Sequence, residues 1–188
     1  RHGWLALLVL ALIASYRLSD IVLGVIANVF YVDMGFTKTE VANVTKVFGV
    51  VMTAAGALVG GVLVYRLGVM RILFAGALLS AATNLLFALL ATQAADGPPP
   101  LVWLALVISA DNLSGGMAGS AFIAYLSSLT NVSYSATQYA LFSSMMLLFP
   151  KFIGGFSGVM VESFGYETFF TLAAAMGLPV LVLIFLAK

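Results

Sequence analysis

Gly60-Gly-Val-Leu-Val-Tyr-Arg-Leu-Gly68 has a near copy in Ser157-Gly-Val-Met-Val-Glu-Ser-Phe-Gly165. Each ends an apolar run on a glycine, a residue that stops helices. At the start of the same two runs, Thr37-x-x-Glu40 and Ser135-x-x-Gln138 recur at nearly the same offset. Both have the spacing of a capping box, in which side chains satisfy the open backbone N–H groups of a helix start. Matching starts and stops divide the chain into two related halves, about residues 1–94 and about 100–188, with three helices predicted in each. If these helices cross a membrane, three is an odd number, and the second copy must lie upside down relative to the first. The charges invert as well, with Arg66 in one copy and Glu162 in the other.

Composition requires the membrane. Of 188 residues, 63% are hydrophobic and 8% charged, with no cysteine. Soluble domains carry about 25% charged residues, and a domain of this length needs polar side chains to cover its outside. A net charge of +1 from eight scattered cations excludes a nucleic-acid surface. A single histidine, His2, leaves no Ser-His-Asp set within the apolar runs and few metal ligands, so neither an enzyme nor a metal site is expected.

A crossing needs about 20 apolar residues. Six runs qualify, approximately Trp4–Tyr31, Glu40–Tyr65, Ile72–Ala91, Leu101–Leu129, Gln138–Val161 and Thr168–Ala187. Between them lie Asp33-Met-Gly-Phe-Thr-Lys38, Arg66-Leu-Gly-Val-Met-Arg71, Ala95-Asp-Gly-Pro-Pro-Pro100, Thr130-Asn-Val-Ser-Tyr-Ser135 and Glu162-Ser-Phe-Gly-Tyr-Glu167, each with glycine, proline or charge. Arg1, Arg66, Arg71 and Lys188 fall on one side and most acidic loop residues on the other, which predicts that both ends are cytoplasmic. Asn131-Val-Ser133 fits a glycosylation pattern but falls in a loop predicted to be cytoplasmic. The first run, followed by five more, does not read as a signal peptide.

Arg17, Asp20, Lys46, Asp111 and Lys151 lie within the runs. A charge in hydrocarbon costs about 2.5–3.5 kcal/mol on insertion scales, so each should face the bundle interior or a watery cavity. One reading is a cavity wall that holds an anion on Arg17, Lys46 and Lys151 and exchanges protons at Asp20 and Asp111. The other is internal pairing that only locks helices: Arg17 with Asp20, Asp20 with Lys46, Asp111 with Lys151. Three cations against two carboxylates leave one positive charge over, which favours the anion site. Asp111-Asn112-Leu-Ser114-Gly115-Gly116 is unusually polar for mid-membrane and is a site candidate. Gly56-x-x-x-Gly60, Gly115-x-x-x-Gly119 and Gly154-x-x-x-Gly158 read first as close helix contacts. Pro150 beside Lys151 predicts a kink or a hinge.

Gly61-Val-Leu-Val-Tyr-Arg66-Leu-Gly68-Val-Met-Arg71 resembles the major-facilitator motif between the second and third helices of a half, with Tyr65 where that motif usually has aspartate. Tyr16-Arg17-Leu-Ser-Asp20, Gly35-Phe36 with Glu40-Val-Ala42, and above all Gly115-Gly-Met-Ala-Gly-Ser-Ala-Phe-Ile-Ala124 followed by Ser135-Ala-Thr-Gln-Tyr-Ala-Leu141 resemble AmpG-type muropeptide permeases. The resemblance implies an all-α membrane protein, six transmembrane helices as a 3+3 inverted repeat, forming the carboxy-terminal half of a major-facilitator fold. It implies a bacterial inner-membrane symporter that imports anionic anhydromuropeptides for peptidoglycan recycling and feeds β-lactamase induction. The expected partners are the lipid bilayer and an amino-terminal six-helix half, and the expected driving force is the proton gradient, with no cofactor. Arg17, Asn112, Lys151 and Lys46 would bind substrate, and Asp20 and Asp111 would carry protons. Two rivals stand beside this: a carrier of another anionic metabolite such as acetyl-CoA, and a transport-inactive membrane sensor or scaffold.

Overall fold

The computed structural model describes residues 2–94, 97–130 and 135–187; Arg1, Ala95-Asp96, Asn131-Val-Ser133-Tyr134, Lys188 and the side chains of His2 and Ser135 lie outside what it describes. Among the described residues the chain is all helix: α1 His2–Ser15, α2 Leu18–Asp33, α3 Lys38–Val44, α4 Val50–Leu67, α5 Val69–Gln93, α6 Leu101–Leu129, α7 Ser135–Gly154, α8 Ser157–Ala175 and α9 Gly177–Leu186. A π-helical turn, Thr45–Gly49, joins α3 to α4 without a loop. Five stretches are long and apolar enough to span a bilayer: Gly3–Asp33, Lys38–Leu67, Val69–Gln93, Leu101–Leu129 and Ser157–Leu186. The 20-residue α7 lies between the last two.

The predicted breaks after Asp33 and Arg66 recur, and the one at 162–167 is reduced to Gly165 inside α8; those at 95–100 and 130–135 fall partly or mostly outside the described residues. Thr37 caps α3 as its spacing predicts: its Oγ1 accepts from the Glu40 N–H at 3.2 Å, and Glu40 Oε2 accepts from the Thr37 N–H at 2.8 Å. Ser135, the other predicted cap, lies outside the described side chains. Gly68 ends α4 at φ 90° and ψ 153°, and Gly165 interrupts α8 at φ 77° and ψ 166°. These two glycines close the two matching sequence stretches, and both occupy backbone space that side-chain-bearing residues scarcely enter.

Four runs expected to be single helices are interrupted. The first breaks at Tyr16–Arg17, between α1 and α2; the second carries the π turn; the fifth, Gln138–Val161, breaks at Gly155–Phe156, between α7 and α8; the last breaks at Met176, between α8 and α9. Pro150 does not end α7, which continues to Gly154 before the chain turns at Gly155–Phe156.

Packing follows the glycines. A Cβ on Gly56 would strike the Leu113 carbonyl, one on Gly60 the Ser120 hydroxyl and Met117 backbone, and one on Gly116 the Thr53 carbonyl, so α4 and α6 meet backbone to backbone. The interior splits into two apolar clusters. One gathers Val22, Phe30, Phe87, Leu104 and Phe170; the other gathers Leu12, Tyr16, Leu73, Phe122 and Ile184. Along α2, α5 and α6 the residues between these clusters are polar: Asp20 with Ser19, then Ser80 with Thr83 and Asn84, then Asp111 with Asn112 and Ser114. That layer is where a site can form.

Candidate substrate and proton site

The break at Tyr16–Arg17 sets the site. Tyr16 is pinned on one side: its ring stacks on Phe122 at 4.5 Å and its hydroxyl donates to the Leu73 carbonyl at 3.0 Å. Arg17, next in the chain, turns the other way, and its Nη2 lies 3.6 Å from Asp20 Oδ2. Asp20 also accepts a hydrogen bond from the Ser80 hydroxyl of α5. The Arg17 Nε is buried and has no hydrogen-bond partner. A buried N–H without an acceptor costs about 1–3 kcal/mol. Arg17 therefore retains binding capacity that Asp20 does not use.

That guanidinium opens on a cavity of about 400 Å³ lined by Arg17, Asp20, Thr53, Asp111, Asn112 and a strip of α6. The strip is Gly115, Gly116, Gly119 and Ser120. Gly115 has nothing within 4 Å of where a side chain would begin, and Gly119 meets only Arg17 Nη1, at 3.9 Å. This glycine pair thus makes room for the cavity, whereas Gly56 and Gly60 serve close packing. Asn112 is held from both sides, accepting from the Thr53 hydroxyl at 2.9 Å and donating to the Ile108 carbonyl at 2.8 Å. The π turn packs beside it, with Asn112 Nδ2 3.6 Å from the Cβ position of Gly49. Single π turns of this kind are frequent at functional sites.

Two more cavities line up with the first. One of about 390 Å³ shares Thr53, Ala57 and Asn112 with it, and one of about 620 Å³ shares Thr45 with the second and is lined by Asn28, Asp33, Lys38 and Lys46. Together they form a trough from the α2–α3 end of the bundle to the polar layer.

Of the six residues singled out in the sequence, Arg17, Asp20, Asp111 and Asn112 surround one cavity. Lys46 lies at the other end of the trough, and Lys151 is exposed on α7 and lines none of the three trough cavities. Among the described residues Arg17–Asp20 is the one ion pair; Asp20 is not paired with Lys46, nor Asp111 with Lys151. Of the three expected pairings the one between Arg17 and Asp20 is present, and Lys46 and Lys151 have no ion-pair partner among the described residues.

Sequence reasoning missed the supports. Thr83 Oγ1 donates to the Ser80 carbonyl at 2.9 Å and lies 3.3 Å from the Ser114 hydroxyl. Asn84 Nδ2 donates to Ser19, whose hydroxyl donates to the Ala173 carbonyl at 2.7 Å. The available signal was Ser80-x-x-Thr83-Asn84, three polar residues inside a helix otherwise apolar at that level.

No family model matches the chain. The anhydromuropeptide permease of Escherichia coli K12 is 35% identical over 188 residues, all of this chain and 37% of the permease. The AmpG 4 protein of Rickettsia conorii is 32% identical over 179 residues, 95% of this chain and 42% of that protein. The AmpG 1 protein of Rickettsia prowazekii is 31% identical over 182 residues. This chain is homologous to the AmpG-type permeases. The likeness runs along its whole length, and the chain spans about two fifths of the curated relatives it matches. These relatives are named as a permease and as putative transporters.

Proposed function

We propose that this chain is one six-helix half of an AmpG-type, proton-coupled importer of anhydromuropeptides in a bacterial inner membrane. The observation that carries this reading is Arg17, its side chain 33% exposed, on the wall of the cavity and only loosely held by Asp20 at 3.6 Å. A charged donor that is only partly satisfied at mid-membrane suits a carboxylate-bearing cargo.

Coupling follows from sharing. While Asp20 is ionised it holds Arg17; when Asp20 is protonated, the guanidinium turns fully to the substrate carboxylate. Asp111, on the same cavity wall, is the second protonatable group, and Asn112 is a fixed amide for a sugar or peptide group. Lys46 draws the anion into the trough. Lys151, exposed in the last turn of α7, meets substrate or the other half, because a lysine within a membrane crossing is costly against lipid.

The contact pattern supports an inverted repeat. Exchanging the first three crossings for the last three maps the α4–α6 contact onto α7 with α1 and α2, and the α5–α6 contact onto α8–α9 with α1 and α2; each contact is present. The start of α5 and the end of α9 line one pocket, which supports placing Arg71 and the chain's end on one side, the cytoplasmic one by charge. In such folds substrate binds between two halves, so an amino-terminal half supplies the facing wall.

The test is uptake of labelled anhydromuropeptide into vesicles containing the whole transporter, with and without a proton gradient. Gradient-dependent uptake that Arg17→Gln abolishes at normal protein level is expected. Uptake unaffected by Arg17→Gln would take Arg17 out of the site, and absence of gradient-dependent uptake, or equally strong competition by acetyl-CoA, would sink the muropeptide assignment.

A further inference from the structure

Away from the trough, a cavity of about 320 Å³ opens between α5 and α9, lined by Met70, Arg71, Phe74, Ile184 and Phe185. Four of its five walls are apolar and one is cationic. Arg71 is exposed and forms no ion pair with any described carboxylate. Phe74 and Phe185 are exposed as well, Phe185 at 75%. The cavity therefore opens on the outside of the bundle, the surface facing acyl chains in a membrane. An uncompensated cation at the mouth of an apolar slot is the complement of one molecule in particular: an anion at the water boundary attached to hydrocarbon. Basic pockets between membrane helices on the cytoplasmic side take anionic headgroups in this way.

We infer that this slot binds an anionic phospholipid, its phosphate on Arg71 and an acyl chain between Phe74, Ile184 and Phe185. A bound lipid would tie the start of α5 to the end of α9, segments from opposite ends of the chain. The inference does not depend on which solute the trough carries.

The test uses the whole transporter in nanodiscs of phosphatidylcholine with increasing phosphatidylglycerol, reading retained lipid by native mass spectrometry. Preferential retention of phosphatidylglycerol is expected, about fivefold weaker in Arg71→Gln and within about twofold of wild type in Arg66→Gln, which removes a nearby charge outside the slot. Ile184→Trp fills the slot while keeping Arg71, and serves if Arg71→Gln fails to insert; it too should lose the preference. Phe74→Trp should be quenched by phosphatidylglycerol brominated on its acyl chains, and inorganic phosphate should not reverse the quenching. Equal losses in Arg66→Gln and Arg71→Gln would show diffuse attraction to a charged surface and overturn the inference. So would retention by Ile184→Trp, or displacement by phosphate alone.

Discussion

Arg17 and Asp20 sit one helical turn apart on either side of the start of α2, with 3.6 Å between guanidinium Nη2 and carboxylate Oδ2. The separation is longer than a charge-assisted hydrogen bond, about 2.7–2.9 Å. The pair is loosely held: Asp20 has a second partner in Ser80, and Arg17 has a donor, Nε, that Asp20 does not satisfy.

Neutralising the two members should therefore give opposite binding results. Arg17→Gln removes the charged donor proposed for the substrate and should weaken binding about 10–100-fold, from about 1.5–3 kcal/mol for a hydrogen bond to a charged group. Asp20→Asn frees Arg17 and should bind substrate at least as tightly as wild type, yet fail to accumulate it against a gradient. Equilibrium binding measured beside uptake separates these effects. Loss of binding in Asp20→Asn would remove the sharing mechanism.

Gly68 and Gly165 carry the second prediction. Both have positive φ with ψ near 150–170°, and neither has anything within 4 Å of a Cβ position. Alanine at either site should destabilise the protein by about 1–3 kcal/mol through backbone strain alone. Gly158→Ala, equally uncrowded but helical, should be neutral or stabilising by about 1 kcal/mol. Thermal unfolding in one detergent is the comparison; equal midpoints for all three variants would contradict it.

These glycines also show why much of the fold was legible. A helix stop that needs positive φ leaves a glycine in the sequence, and a capping box leaves Thr37 and Glu40 at fixed spacing. The break at Tyr16–Arg17 left no such mark, because the residues there occupy ordinary backbone space; the one at Met176 is marked by Gly177 and by Pro179, which lacks the N–H that would carry the helix ladder across it. The π turn at Thr45–Gly49 was equally silent. At the site, the charges stood out against hydrocarbon, whereas Ser80 and Thr83 did not, since a hydroxyl can bond its own helix. Which glycines pack and which leave a cavity depends on the rotation of each helix, and Gly56, Gly60, Gly115 and Gly119 share one spacing.

That contrast can be measured. Gly56→Ala and Gly116→Ala put a methyl group into a facing backbone carbonyl and should cost about 1–3 kcal/mol, lowering the folded yield. Gly119→Val has only Arg17 Nη1 near its first carbon and should fold, yet narrow the cavity and reduce uptake. A well-folded Gly119→Val with full uptake would show that substrate does not use this wall.

Lys46 and Lys151 should separate in kinetics as they do in space. Lys46 lines the wide cavity of about 620 Å³ with Lys38 and Asp33, away from the Arg17–Asp20 pair. At this distance a cation acts by attracting an anion, an effect that salt screens over about 8–10 Å. Lys46→Gln should then raise KM severalfold with little change in maximal rate, and the difference should shrink as salt rises. Lys151 is exposed on α7, where lipid contact would cost about 2.5–3.5 kcal/mol, so it needs water, substrate or the facing half. Lys151→Ala should lower the maximal rate, and added salt should not restore it. If salt erased both defects alike, Lys151 would be a second attracting charge and would lose its place in the transport step.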